Sequence, residues 1–180
     1  MGLADQLTVA RIVAAPFVIV LYVWDFHAHA YWATGLFVAA MATDQIDGWL
    51  ARRQGRTTPL GSLLDPVADK VLVLATMVVL VDAGVFAGWM VAAIVARELL
   101  ISGLRLAAVE RGVVIQARDL GKLKTWSQAA ATGLGGFAAA GAWSQSIAWW
   151  SLLAAVALTW LSGLDYARVA PGLLRGRALA

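Results

Sequence analysis

The sequence has no cysteine. That absence excludes disulfides and thiol chemistry. Charge is also scarce, with Asp, Glu, Lys and Arg together making only 14% of the residues. No stretch is long and polar enough to form a separate soluble domain. The start lacks a basic segment ahead of its apolar run, and Arg11 interrupts that run. A cleaved secretory signal is therefore not expected, and the first apolar stretch reads as a retained helix. What fills the chain instead is apolar: 61% of its 180 residues are hydrophobic and the mean hydropathy is +0.76. A soluble domain has an apolar share of about 45–50%. The composition predicts a single integral-membrane domain over residues 1–180. Net charge is +3 with a basic pI. In such a chain this points to topology and lipid headgroups, and no nucleic-acid partner is expected.

A spanning helix needs about 20 largely apolar residues. Six stretches qualify: Leu7–Trp24, Tyr31–Leu50, Ser62–Val81, Val85–Ala108, Lys124–Trp143 and Ser146–Ala167. The expected fold is therefore all-α, with six transmembrane helices and both termini on one side. Arg52, Arg53, Arg56, Arg111, Arg118, Lys122, Lys124, Arg168, Arg175 and Arg177 fall on that side. The opposite loops, near 25–30, 82–84 and 144–145, hold no Lys or Arg. The asymmetry of basic residues predicts that both termini face the cytoplasm.

One stretch departs from the apolar background. Residues 44–70 read DQIDGWLARRQGRTTPLGSLLDPVADK. Asp44 and Asp47 are three apart, and Asp65 and Asp69 four apart, so each pair shares a face if helical. Gly55, Pro59 and Gly61 mark a turn between them. Two antiparallel helices would then present four carboxylates to one another at similar levels. Asp44 would lie roughly 13 Å below a helix end near Arg53, and Asp69 roughly 12 Å below a start near Gly61. Four carboxylates this close repel unless protonated or bound to cations. An oxygen-only donor set favours Mg²⁺, Mn²⁺ or Ca²⁺ over zinc, and four carboxylates can hold two ions. The plain alternative is a set of ordinary helix-end charges.

The fixed pattern is Asp44-x2-Asp47-Gly48-x2-Ala51-Arg52-x8-Gly61-x3-Asp65-x3-Asp69. It resembles the signature of the CDP-alcohol phosphatidyltransferases at every fixed position. Further segments are similar to the phosphatidylglycerophosphate synthase branch: Asp65–Lys70, Arg97–Arg105, Gly121–Thr125, and Leu7, Thr8, Arg11 and Pro16 near the start. The chain departs from that branch at Asp5 and Leu106.

The resemblance implies a six-helix membrane fold, often homodimeric, in the cytoplasmic membrane. It implies transfer of a phosphatidyl group from CDP-diacylglycerol to sn-glycerol 3-phosphate, with release of CMP. Asp44, Asp47, Asp65 and Asp69 would hold two Mg²⁺ or Mn²⁺, and Asp69 would also act as general base. Gly48, Ala51, Arg52 and Gly61 would receive the CDP-diacylglycerol. Arg97, Arg105, Lys122 and Lys124 would bind the acceptor phosphate, with Arg11 as a further candidate. Inositol phosphate or phosphatidylglycerol are alternative acceptors. A divalent-cation transporter is the alternative from another class, because carboxylates inside membranes also line ion paths.

Several features have plain readings beside functional ones. Arg97 and Glu98 lie mid-helix and either neutralise each other or line a polar cavity. The small residues of Ala129–Gly141 serve helix packing or dimerisation. Trp24, Trp32, Trp89, Trp143, Trp149 and Trp150 lie near helix ends, as an aromatic belt requires. His27 and His29, on the outer loop, read as solvated side chains or a two-histidine metal site.

Overall fold

The structure is a computed structural model that describes residues 3–54, 59–110 and 119–174. Side chains are described for 9–43, 68, 70–108 and 121–164. Six helices run through the described residues: α1 (Leu3–Val23), α2 (His29–Gln54), α3 (Pro59–Asp82), α4 (Gly88–Glu110), α5 (Asp119–Ala139) and α6 (Gln145–Leu174). Several ends differ from those expected from the sequence, each for a local reason. α3 begins at Pro59 rather than Ser62. Proline suits a first helical position, where no N–H is needed and its fixed φ is already helical. Gly61 therefore lies inside α3 and not in a turn. α5 stops at Ala139, four residues before Trp143, because Gly141 takes a left-handed φ of 77°. There the Ala142 N–H bonds back to the Phe137 carbonyl at 2.9 Å, as a glycine cap permits. Gly84, with φ 72°, ends α3 in the same way, so α4 starts at Gly88 rather than Val85. Ser144 caps α6 by accepting the Ser146 N–H at 3.3 Å.

α1 packs against both α2 and α3; α5 lies against α6, α2 and α3; α4 bridges α3 and α6. The core between them holds Val18, Phe37, Leu72, Met77, Leu80, Met90, Ile94 and Leu152, all at most 2% exposed. α5 comes close to its neighbours because two glycines face them. A Cβ on Gly135 would stand 2.4 Å from Phe86, and one on Gly136 would stand 2.5 Å from both Thr34 Oγ1 and Tyr22 Oη. Small residues in this helix thus serve internal packing.

The outside of the bundle is apolar as well. Phe17, Val23, Trp24, Trp32, Trp89, Leu99, Leu100 and Trp150 are exposed on α1, α2, α4, α6 and the loop after α1. Exposed apolar side chains of this number suit a lipid surrounding. Among the described residues, Gln145–Leu164 is long and apolar enough to cross a membrane, and Val9–Val23 is a shorter apolar segment. Trp143 lies between α5 and α6. It is half-buried, donates Nε1–H to the Leu134 carbonyl at 2.9 Å and meets Phe137 edge-on. His29 likewise meets Phe26 edge-on, and no group of three potential metal ligands occurs among the described residues.

Candidate active site

The acidic pattern straddles one helix pair. Asp44, Asp47, Gly48, Ala51 and Arg52 lie in the last turns of α2, and Gly61, Asp65 and Asp69 in the first turns of α3. Their side chains lie outside the described residues. The backbone nevertheless fixes their register. Asp44 comes ten residues before the end of α2 and Asp69 ten after the start of α3. At about 1.5 Å per residue, both sit about 15 Å from the α2–α3 connection. Asp47 and Asp65 sit nearer to it by about one turn. Both helices are continuous through these positions, so each aspartate pair occupies one helix face. As oxygen donors, aspartate carboxylates suit hard divalent cations and not thiol-preferring metals.

From Lys70 onward α3 leads into a buried charged cluster. Lys70 reaches from α3 to α4, donating to Ser102 Oγ at 2.8 Å and lying 3.7 Å from Glu98 Oε2. Glu98 is the hub. Its Oε1 accepts from Lys124 Nζ on α5, from Arg97 Nη1 at 3.2 Å and from Gln128 Nε2 at 3.4 Å. Arg97 extends the network to α6 by donating Nη2–H to Ser162 Oγ at 3.0 Å. Gln128 does the same through Thr159 Oγ1 at 2.8 Å. Gly163 is part of this fit, because a Cβ there would stand 3.1 Å from Arg97 Nε. Four helices are thereby joined through one carboxylate.

The structure thus brings Arg97 and Lys124 together. Lys122 is exposed and Arg105 half-buried. Arg11 is buried on α1. Arg97 and Glu98 do pair, as the plain reading expects, and Glu98 also answers Lys124 and Lys70. Lys70, Glu98, Gln128, Thr159 and Ser162 are not among the site residues expected from the sequence. A signal for some of them existed. Lys124, Gln128 and Thr132 recur every fourth residue on an apolar helix, and all three are buried. Such spacing marks one polar stripe facing the bundle interior.

The cluster is costly to build. Ionised groups removed from water lose several kcal/mol each by order of magnitude, and ion pairing recovers only part of that. Among the described residues it holds three cations and one carboxylate. Its edge opens to solvent at Lys70, whose side chain is 36% exposed, while Glu98 and Arg97 are 4% exposed. Such a group of cations, open to solvent at one edge, has the charge to attract an anion.

The family model described as CDP-alcohol phosphatidyltransferase matches residues 1–161. The chain is 37% identical over 140 residues to the CDP-diacylglycerol–glycerol-3-phosphate 3-phosphatidyltransferase of Bacillus subtilis, covering 71% of this chain and 72% of that one. It is 39% identical over 170 residues to a probable phosphatidylglycerophosphate synthase of Mycobacterium tuberculosis, covering 92% and 79%. It is also 37% identical over 144 residues to a cardiolipin synthase (CMP-forming) of Oryza sativa, covering 70% and 43%. With the family pattern intact from α2 into α3 and the match running through most of the bundle, the chain belongs to the CDP-alcohol phosphatidyltransferase family.

Proposed function

We propose that the protein transfers a phosphatidyl group from CDP-diacylglycerol to sn-glycerol 3-phosphate, giving phosphatidylglycerophosphate and CMP. The single observation that carries the acceptor is the position of Lys70. It follows Asp69 on α3 and reaches the cluster that contains Arg97 and Lys124. The acceptor's hydroxyl is thereby brought to the acidic helix pair while its phosphate meets the cations. The names of the Bacillus and Mycobacterium relatives favour the same reaction, and they favour a transferase over a cation transporter.

In this reading Asp44, Asp47 and Asp65 hold two Mg²⁺ or Mn²⁺, with Asp69 sharing one. Divalent metal is a general requirement of the family. When bound, the ions neutralise the diphosphate and the charge that develops on departing CMP. Arg52 binds diphosphate oxygens, and Gly48, Ala51 and Gly61 leave room for the donor. Asp69 accepts the proton of the acceptor hydroxyl. That oxygen forms a bond to the lipid-side phosphorus as the bond to CMP breaks. Arg97 and Lys124 hold the acceptor phosphate, with Arg105 and Lys122 toward the entrance.

The same reading places six spans in the cytoplasmic membrane, both termini and the site facing the cytoplasm, the acyl chains of the donor in lipid, and the chain in a homodimer. The cardiolipin synthase match favours a second reading, in which phosphatidylglycerol is the acceptor. Purified protein supplied with CDP-diacylglycerol, Mg²⁺ or Mn²⁺ and a panel of acceptors decides between them. Release of CMP with glycerol 3-phosphate supports the first reading. Release only with phosphatidylglycerol or inositol phosphate overturns it.

A further inference from the structure

We propose that Glu98 is a positioning residue for the acceptor site: it acts from behind Lys124, Arg97 and Lys70 to set where those cations stand, and touches no substrate itself. The inference rests on the proposed reaction and deepens it. Three observations lead to it. Glu98 is the only described carboxylate in the cluster, and both of its oxygens are engaged, Oε1 by Lys124, Arg97 and Gln128 and Oε2 facing Lys70. It also lies at the closed end. Its side chain is 4% exposed, as is that of Arg97, against 9% for Lys124 and 36% for Lys70. A ligand entering from the open edge therefore meets Lys70 and Lys124 before the carboxylate. Finally, the cations come from three different helices. Lys70, Arg97 and Lys124 have no covalent reason to stand together, and like charges repel across a low-dielectric interior.

A long lysine side chain has several rotamers of similar energy. Lys124 needs an anchor to stand beside Arg97 rather than turn toward solvent, and Glu98 supplies it. Gln128 fixes the carboxylate in turn, because its amide also bonds Thr159 on α6. The arrangement predicts that loss of the Glu98 charge weakens acceptor recognition and leaves donor recognition alone.

The test is steady-state kinetics of the purified full chain, varying glycerol 3-phosphate at saturating CDP-diacylglycerol and then the reverse. Glu98→Gln keeps the shape and removes the charge. The acceptor KM should rise about ten- to a hundredfold, the range expected for a lost charged hydrogen bond, with the donor KM within about twofold. Glu98→Asp, which withdraws the carboxylate by one methylene, should give an intermediate acceptor KM and serves if Glu98→Gln does not fold. A double-mutant cycle with Lys124→Met adds a readout that a structural role would not move. If Glu98 works in part through Lys124, the acceptor KM of the double variant should rise by less than the product of the two single effects. The proposal is overturned if Glu98→Gln or Glu98→Asp only lowers the yield or melting temperature with both KM values unchanged, if donor and acceptor KM rise together, or if the cycle is additive. A wild-type enzyme that uses a different phosphorylated acceptor would overturn the acceptor identity alone, and the Glu98 effect would then be read on that acceptor's KM. A wild type that uses only acceptors without phosphate would overturn both.

Discussion

Among the described residues of this apolar bundle, two groups of buried polar side chains differ in their chemistry. Between α1 and α2, Tyr22 meets Thr34 at 2.8 Å, and Thr34 donates its own hydroxyl proton to the Ala30 carbonyl at 2.6 Å. The tyrosine must therefore be the donor in the first bond. Every group is neutral, the chain of bonds is complete, and Gly136 of α5 closes directly over it. Among α3, α4, α5 and α6, in contrast, Glu98 gathers ammonium and guanidinium groups and the network ends on half-exposed Lys70. The first region holds helices together at little cost. The second adds little stability over apolar packing, because buried ion pairs seldom repay their desolvation. The proposed acceptor phosphate would account for its excess of positive charge. The contrast teaches that burial of a polar group is weak evidence of function, whereas buried charge with an open edge is stronger.

The largest expected effects fall on the acidic helix pair that adjoins the charged region. Asp69→Asn should lower CMP release by about 10²–10⁴-fold while CDP-diacylglycerol still binds, as loss of a general base would. Chelation of divalent metal should abolish the reaction, and added Mg²⁺ or Mn²⁺ should restore it. Within the cluster, Lys124→Met should raise the acceptor KM by roughly tenfold or more, measured as CMP release against glycerol 3-phosphate. The neutral region should respond in the opposite sense. Gly136→Ala drives a Cβ against Tyr22 and Thr34 and should cost about 1–3 kcal/mol of stability in detergent, read by thermal unfolding, with both KM values unchanged. Tyr22→Phe removes one hydrogen bond and should cost only about 0.5–1.5 kcal/mol, again without a kinetic change. If Tyr22→Phe altered the acceptor KM, or Lys124→Met altered only the melting temperature, the division between the two regions would fail.

Much of the fold is legible in the amino-acid sequence. Six apolar stretches appear as six helices, because apolar length is a property of local sequence. Helix ends are less legible. Pro59 and Gly61 read as turn residues, yet Pro59 opens α3 and carries Gly61 into it. The glycine punctuators Gly84 and Gly141 do end their helices, although the apolar residues just beyond them extend the expected spans. The acidic motif can be read through its spacing, since i to i+3 and i to i+4 register needs only a helix. The Glu98 hub cannot. Its partners lie 26 residues away at Lys124 and 28 away at Lys70, and only the packing of α3 and α5 against the rest of the bundle brings them to one carboxylate. Spacing along one helix still carries part of the answer, in the stripe of Lys124, Gln128 and Thr132.

The central claim is that α2 and α3 contribute to one metal-dependent site. Mn²⁺ bound to the purified protein in the presence of CDP-diacylglycerol can be measured by electron paramagnetic resonance. The account predicts about two ions per chain, with Asp44→Asn on α2 and Asp65→Asn on α3 each weakening the same bound ions. Two classes of Mn²⁺, one lost only with the α2 aspartate and the other only with the α3 aspartate, would contradict it.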